Sequence, residues 1–241
     1  MSVSFDRVAE VYDRTRALPN DVMARLIKTL VVELKDCKTV LDVGVGTGRF
    51  AAPLQKAGFD VVGIDISRKM MRKAKEKGVK NLILADVRSI PFRDKTFDVT
   101  VAVHILHLVT EWRKVLGEIL RVTRHAMISL YHACKDPVRE AYHELLKQQG
   151  YERVHRGKSE QDLRNVVEPA KSLHVASYDI FADETLANLQ ERNRSSNWDI
   201  PEDVNLRVLK LLKKDFAGKT FRQELCLSVW QVDSLKGLAR T

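Results

Sequence analysis

Residues 40–50 (VLDVGVGTGRF) constrain this chain more than any other stretch. They open as an apolar run without polar alternation, as a parallel strand covered on both faces requires. The run then breaks into a turn with three glycines and starts a helix. Glycine there lets the backbone turn tightly and approach a ligand where a Cβ would collide. The open helix end offers free N–H groups to a polar ligand. Gly44, Gly46 and Gly48 follow a G-x-G-x-G spacing, and Arg49 stands where the G-x-G-x-x-G dinucleotide fingerprint places its third glycine. Asp42, two residues before Gly44, is placed to orient the loop or to attract a cationic ligand group. A bare strand-to-helix corner is the competing reading. Residues 60–65 (DVVGID) shift the balance: they form a second buried strand that ends in a carboxylate, Asp65, 21 residues after Gly44. That is close to the ~20 at which an acidic residue accepts hydrogen bonds from ribose hydroxyls, so both features point to a nucleoside.

A chain of 241 residues is long enough for one α/β domain with a core that needs no staples. Cys37, Cys134 and Cys226 show neither a C-x-x-C pair nor a histidine partner, so no metal site and no disulfide framework is expected. The N-terminus lacks an apolar leader, and no stretch approaches the ~20 apolar residues that span a bilayer; a cytoplasmic protein in a reducing compartment without membrane partners is expected. The formal charge of +9 raises the question of nucleic acid. Much of it sits in residues 68–80, where seven basic residues face a single acid, Glu76. A solvated helix face, away from the substrate mouth, is favoured there over an RNA contact.

In chain order, residues 5–16 suit a short amphipathic helix and 22–34 a longer one. Strands are expected near 39–43, 60–65, 81–85, 97–103 and 126–131, with helices at 49–57, 68–77, 104–121 and 136–149. Beyond Gly150, helices are expected at 159–168, 183–192 and 201–216, strands at 172–181 and 221–232, and a loose tail after Val232. This alternation predicts an α/β fold: a Rossmann-like doubly wound sheet, mostly parallel with one antiparallel strand, helices on both faces, and a helical cap. Within a single domain, 1–36 form an N-terminal helical lid, 37–150 the ligand-binding core and 151–232 the remainder, capped by about 184–216. Gly44, Asp65, Asp86 and His104 all fall at the carboxyl ends of strands, where such sheets bind ligands.

The stretches 41–50 (LDVGVGTGRF), 63–67 (GIDIS), 85–98 (ADVRSIPFRDKTFD) and 99–108 (VTVAVHILHL) closely resemble the class I S-adenosylmethionine-dependent methyltransferases. The likeness is to their small-molecule branch, which includes ubiquinone/menaquinone and trans-aconitate methyltransferase-like proteins, and it is strong over residues 1–150. The resemblance implies the following roles. Asp42 and Val43 lead into Gly44 and Gly46 under the methionine part of S-adenosylmethionine. Asp65 binds the ribose hydroxyls, Ile66 packs on the adenine, and Asp86 with the Val87 amide reads its edge. Val103 and His104 line the methionine side, and Tyr12 and Arg16 close over the cofactor carboxylate. Arg194 and Trp198, in a segment similar to the cap element of this branch, are substrate candidates; a polar helix terminus and a packed indole are their plainer readings.

Transfer from a sulfonium is an in-line displacement that needs orientation, water exclusion and a deprotonated acceptor rather than a fixed catalytic side chain. His104, expected to titrate near neutrality beside the methyl path, is the candidate base. His107, one turn on, is read as structural. No Asn-Pro-Pro-Tyr tetrad or Pro-Cys nucleophile of nucleic-acid base methylation is present. A small-molecule acceptor is expected, with S-adenosylhomocysteine as cofactor product. The readings kept beside it are an RNA or protein methyltransferase using the basic surface, an NAD oxidoreductase disfavoured by Arg49, and a cofactor-binding regulator. Oligomeric state is not legible.

Overall fold

The computed structural model describes residues 4–152 and 157–240. β1 (Thr39–Val43), β2 (Asp60–Asp65), β3 (Asn81–Leu84), β4 (Phe97–Ala102) and β5 (Thr123–His132) are parallel, and β6 (Lys171–Phe181) and β7 (Thr220–Gln231) complete one sheet in the order β3-β2-β1-β4-β5-β7-β6. β7 runs antiparallel to both its neighbours and is the one reversed strand.

β1 is central because both its edges are paired, Leu41 with Val62 on one side and with Thr100 on the other. Strand alternation sends its successive side chains into two separate cores. Val40 joins Val61, Val99 and Ile128 under α2 (Asn20–Glu33), whose Val22, Leu26 and Leu30 face them. Leu41 and Val43 join Ile64 and Met127 on the opposite face, under Leu116 and Ile119 of a later helix. Six further helices follow the order of the chain: α1 (Tyr12–Thr15) precedes α2, then come α3 (Ala51–Lys56), α4 (Arg68–Glu76), α5 (Trp112–Val122), α6 (Pro137–Gln148) and α7 (Glu160–Arg164). The cap is α8 (Ala182–Gln190) and α9 (Glu202–Phe216), which pack with α6 around Tyr142, Leu186, Leu189 and Val208. The Tyr142 hydroxyl donates to Asn205 Oδ1 at 2.6 Å inside that cluster. Among the described residues, no helix is long and apolar enough to cross a membrane.

Four local expectations change. Residues 5–16 are not one helix but a 3-10 turn, Asp6–Val8, followed by the single turn of α1. The 104–121 helix starts only at Trp112, because His104 takes a left-handed φ of 60° and only a 3-10 turn, Leu106–Leu108, follows it. The helix expected over 159–168 shrinks to α7, where Ser159 and Asp162 form a reciprocal capping box. Residues after Val232 are a helix, α10 (Val232–Arg240), not a tail. Val232 and Leu235 are buried and pack with α5 beside Trp230, so burial of one apolar stripe orders the segment.

Leu235→Ala is accordingly expected to cost about 2–5 kcal/mol in denaturant melts, the range for truncating a buried leucine. An unstructured tail would leave the midpoint unchanged.

Candidate functional site

The strand order reverses between β1 and β4, so the chain leaves their carboxyl ends toward opposite faces and a crevice opens between them. The glycine turn forms one wall. The Gly44 and Val45 N–H groups both donate to the Ile64 carbonyl at 2.9 Å, drawing the turn over the end of β2. Gly44 has a φ of 69°, and a Cβ there would lie 1.9 Å from Ile105 Cδ1. Glycine is therefore required at this position both for its left-handed backbone and for the side chain that fills the notch. Asp65 supports the same turn, with Oδ2 accepting from Gly46 N–H at 2.9 Å and Oδ1 from Ser67 N–H at 2.8 Å.

Of the expected site residues, Tyr12, Asp42, Gly44, Gly46, Val103 and His104 line a single cavity at this edge. Val43 is buried beneath it in the sheet core. Arg16 stands behind Tyr12, its guanidinium carbon 5.6 Å from the ring centroid. Asp65, Ile66, Asp86 and Val87 lie off the cavity, at the ends of β2 and β3. Ile66 is 40% exposed there, an apolar platform on the rim. The Asp86 carboxylate is held by the Arg88 guanidinium, with contacts of 2.7 and 3.1 Å. Arg194 and Trp198 do not line the cavity; Trp198 packs on Phe5 at 5.3 Å and under the Arg7 guanidinium at 5.5 Å. Sequence reasoning missed Arg49 and His132, which do line it. Arg49 drew notice only as a departure from a glycine pattern. His132 ends β5, and the strand-end rule applied to His104 would have found it.

Among the described residues, the buried atoms Asp42 Oδ2 and Arg16 Nη1 on this edge have no hydrogen-bond partner. Asp42 is 2% exposed, and burial pushes its carboxyl up to about 7, with Asp65 adding repulsion against a backbone hydrogen bond from Ala51. Arg16 donates through Nη2 to the Asn193 carbonyl at 3.2 Å, and its own carbonyl accepts from Arg49 Nη1 at 2.7 Å. Desolvation by the surrounding cavity wall, with His107, His132 and Arg49 adding to the effect, holds His104 well below the usual histidine value even though the residue keeps an exposed face. Its expected titration near neutrality is therefore corrected: the ring is neutral there. His132 is pulled down to about 4 by burial and then by the charges of Arg139, Arg49 and Arg194.

The N-terminal segment straps this edge. Asp6 accepts from Ser67 Oγ at 2.5 Å and from Lys69 N–H at 3.0 Å. Glu10 meets Arg72 and Lys73, and Asp13 meets Lys77 at 2.6 Å and the Thr47 hydroxyl at 2.6 Å. At the other margin, Arg14 pairs with Glu191 of the cap at 3.0 Å. The basic α4 is solvated over much of its face, but Arg72 and Lys73, with Lys77 just beyond it, meet the acids of the strap.

Residues 41–127 match the family described as methyltransferase domain. Within that stretch the chain is similar to methyltransferase domains. Over 154 residues it is 33% identical to a demethylmenaquinone methyltransferase of Renibacterium salmoninarum, covering 61% of this chain and 65% of that one. Over 129 residues it is 31% identical to a malonyl-[acyl-carrier protein] O-methyltransferase of Hamiltonella defensa, covering 53% of this chain and 49% of the relative. The match thus spans from about half to just under two thirds of the length of these curated relatives. The crystal structure of a magnesium protoporphyrin IX methyltransferase from Synechocystis, solved with bound S-adenosylhomocysteine, superposes with a TM-score of 0.52 at 16% identity, over 93% of this chain and 97% of that one. At that identity the likeness is one of fold. The cavity joins the end of the glycine turn to the ends of β4 and β5, with a buried carboxylate at one side and imidazoles at the other.

The depressed ionisation of Asp42 has a measurable consequence. Its folded value lies above that of the unfolded chain, so the folded state binds the extra proton and stability falls as pH rises from about 4 to about 7. Asp42→Asn removes this penalty. The stability of the variant relative to the parent should therefore rise by roughly 2–3 kcal/mol between about pH 5 and about pH 8, measured in ligand-free denaturant melts; a constant difference would refute the assignment.

Proposed function

We propose that this chain transfers a methyl group from S-adenosylmethionine to a small-molecule acceptor. The observation that carries the reading is the pair of orphaned buried atoms, a carboxylate oxygen on Asp42 and a guanidinium nitrogen on Arg16. Buried polar groups are normally satisfied, and an unpaired buried charge is costly. A zwitterionic amino-acid head group would satisfy both, its ammonium on Asp42 and its carboxylate on Arg16, with Tyr12 packing between. S-adenosylmethionine ends in such a group and NAD does not. In this reading Asp65 accepts from the ribose hydroxyls through lone pairs left over from its two backbone bonds. Ile66 and Val87 flank the adenine, and Asp86, steadied by Arg88, faces its edge.

When bound, the cofactor supplies an electrophilic sulfonium methyl. The protein then has to orient the acceptor, exclude water and take up a proton where the acceptor carries one. Neutral His104 has a free acceptor nitrogen for that proton, though its depressed basicity makes it a weak base. Beyond it, His132, Leu130 and Leu225 continue the cavity wall toward the cap. Among the described residues, no carboxylate forms an ion pair with Arg194, and Arg139 and Arg16 crowd it with like charge. That favours an acceptor with an acidic group near Arg194, and leaves Trp198 as the support of the strap. The names of the relatives span a quinone and a carrier-bound acyl group, so none transfers to this chain. The RNA reading loses its main support, since Glu10 and Asp13 already engage Arg72, Lys73 and Lys77. A cytoplasmic setting belongs to the same reading, with Cys37, Cys134 and Cys226 as thiols.

Calorimetry tests the cofactor. S-adenosylhomocysteine should bind and NAD should not, and Arg16→Ala should weaken the former by about tenfold or more, the loss of one charged hydrogen bond. Binding of NAD in its place would overturn the reading.

Turnover against a panel of acidic and neutral acceptors tests the rest. Arg194→Ala should raise KM for acids only. His104→Ala should lower kcat with S-adenosylhomocysteine affinity retained; unchanged turnover would remove His104 as a base.

A further inference from the structure

Glu160, the first residue of α7, is 2% exposed. Its Oε1 accepts two consecutive backbone N–H groups far away in sequence, Ile105 at 2.7 Å and Leu106 at 3.0 Å. The neighbouring Gly157 lies flat on the same loop, where a Cβ would come within 2.4 Å of the Leu106 and Val109 carbonyl oxygens. Among the described residues Glu160 has no salt-bridge partner, and the charge of Asp162 acts against its ionised form. Capping of α7 does not explain it either, because Ser159 and Asp162 already form that box. A carboxylate buried without a cation is expensive, and what it obtains here is the shape of one loop.

That loop is the wall of the cavity. It begins with Val103 and His104, which line the cavity, and His104 is held in a left-handed conformation that a residue with a Cβ rarely adopts. It continues with Ile105, whose Cδ1 fills the notch left by the missing Cβ of Gly44. The N–H groups of Ile105 itself and of Leu106 are the ones that Glu160 binds.

We propose that Glu160 is a positioning residue: it clamps the loop after β4 so that Val103, His104 and Ile105 close the methionine end of the cofactor site. Its influence on the cofactor rests on the methyltransferase reading above; its hold on the loop does not. Glu160→Gln keeps a carbonyl oxygen where Oε1 stands and preserves the clamp. Glu160→Ala leaves two buried donors without an acceptor and releases it.

The test compares the full-length parent with Glu160→Ala, Glu160→Gln and, as a destabilised control remote from the cavity, Leu235→Ala. Calorimetry with S-adenosylhomocysteine is run well below each melting temperature, and amide hydrogen exchange is followed at Ile105 and Leu106. Glu160→Ala should bind S-adenosylhomocysteine at least about tenfold more weakly, one lost buried hydrogen bond or more, and should exchange both amides faster. Glu160→Gln should stay within about threefold of the parent, and Leu235→Ala should match it despite its lower stability. If Glu160→Ala does not fold, Glu160→Asp, which draws the oxygen back by one methylene, takes its place with the same expectations. Unchanged amide protection in Glu160→Ala, or equal losses of affinity in Glu160→Ala and Leu235→Ala, would overturn the clamp. If the parent itself fails to bind S-adenosylhomocysteine, the methyltransferase reading falls, and the exchange rates still decide the clamp.

Discussion

The pairing of β1 between β2 and β4 is the constraint on which the rest of the structure depends. With both edges of β1 occupied by parallel neighbours, its connection must leave over one face of the sheet and that of β4 over the other. The crevice between them follows from strand order before any side chain is considered. Leu41 and Val40, pointing into opposite cores, fix this register, since a slip by one residue would exchange the faces of the whole strand. The glycine turn, the end of β4 and the carboxylate of Asp65 come together because they terminate neighbouring strands.

The crevice combines a rigid floor with walls brought in from elsewhere. Gly44 interlocks with Ile105, and that loop is tied in turn to α7. The strap comes from the N-terminus, and α8 and α9 come from the far end of the chain. Segments from distant parts of the chain thus meet around this edge, and desolvation weighs heavily on its polar groups. Asp42 and Arg194 are displaced from their ordinary ionisation first by burial and only then by neighbouring charge. Low dielectric makes each group sensitive to what is placed beside it.

Most of the scaffold was legible in the sequence because its signals are local. Apolar runs such as 60–65 and the helical spans 68–77 and 136–149 depend on residues a few positions apart. The glycine corner and the acid-tipped second strand carried the family likeness for the same reason. Tertiary partners decided the rest. His104 leaves the helical region within a stretch whose composition suits a helix, since its loop is held by a carboxylate 55 residues further on. Glu160 follows a serine three residues before an aspartate, a pattern that looks complete as a helix cap and conceals its second contact. The role of α4 was hidden because its charges alone do not reveal the acids of residues 6–13 that answer them. The stripe in α10 is short and follows a strand without a break, so no turn signal separated the two.

The strap has a consequence for exchange with solvent. Its ties at both margins, Glu10 and Asp13 on one side and Arg14 on the other, join side chains that are largely open to water. Each such pair is weak on its own and fades as salt shortens the range of charge. Several small screened attractions acting together therefore hold the strap, so the ionic composition of the surroundings governs how firmly it stays closed over the edge of the sheet.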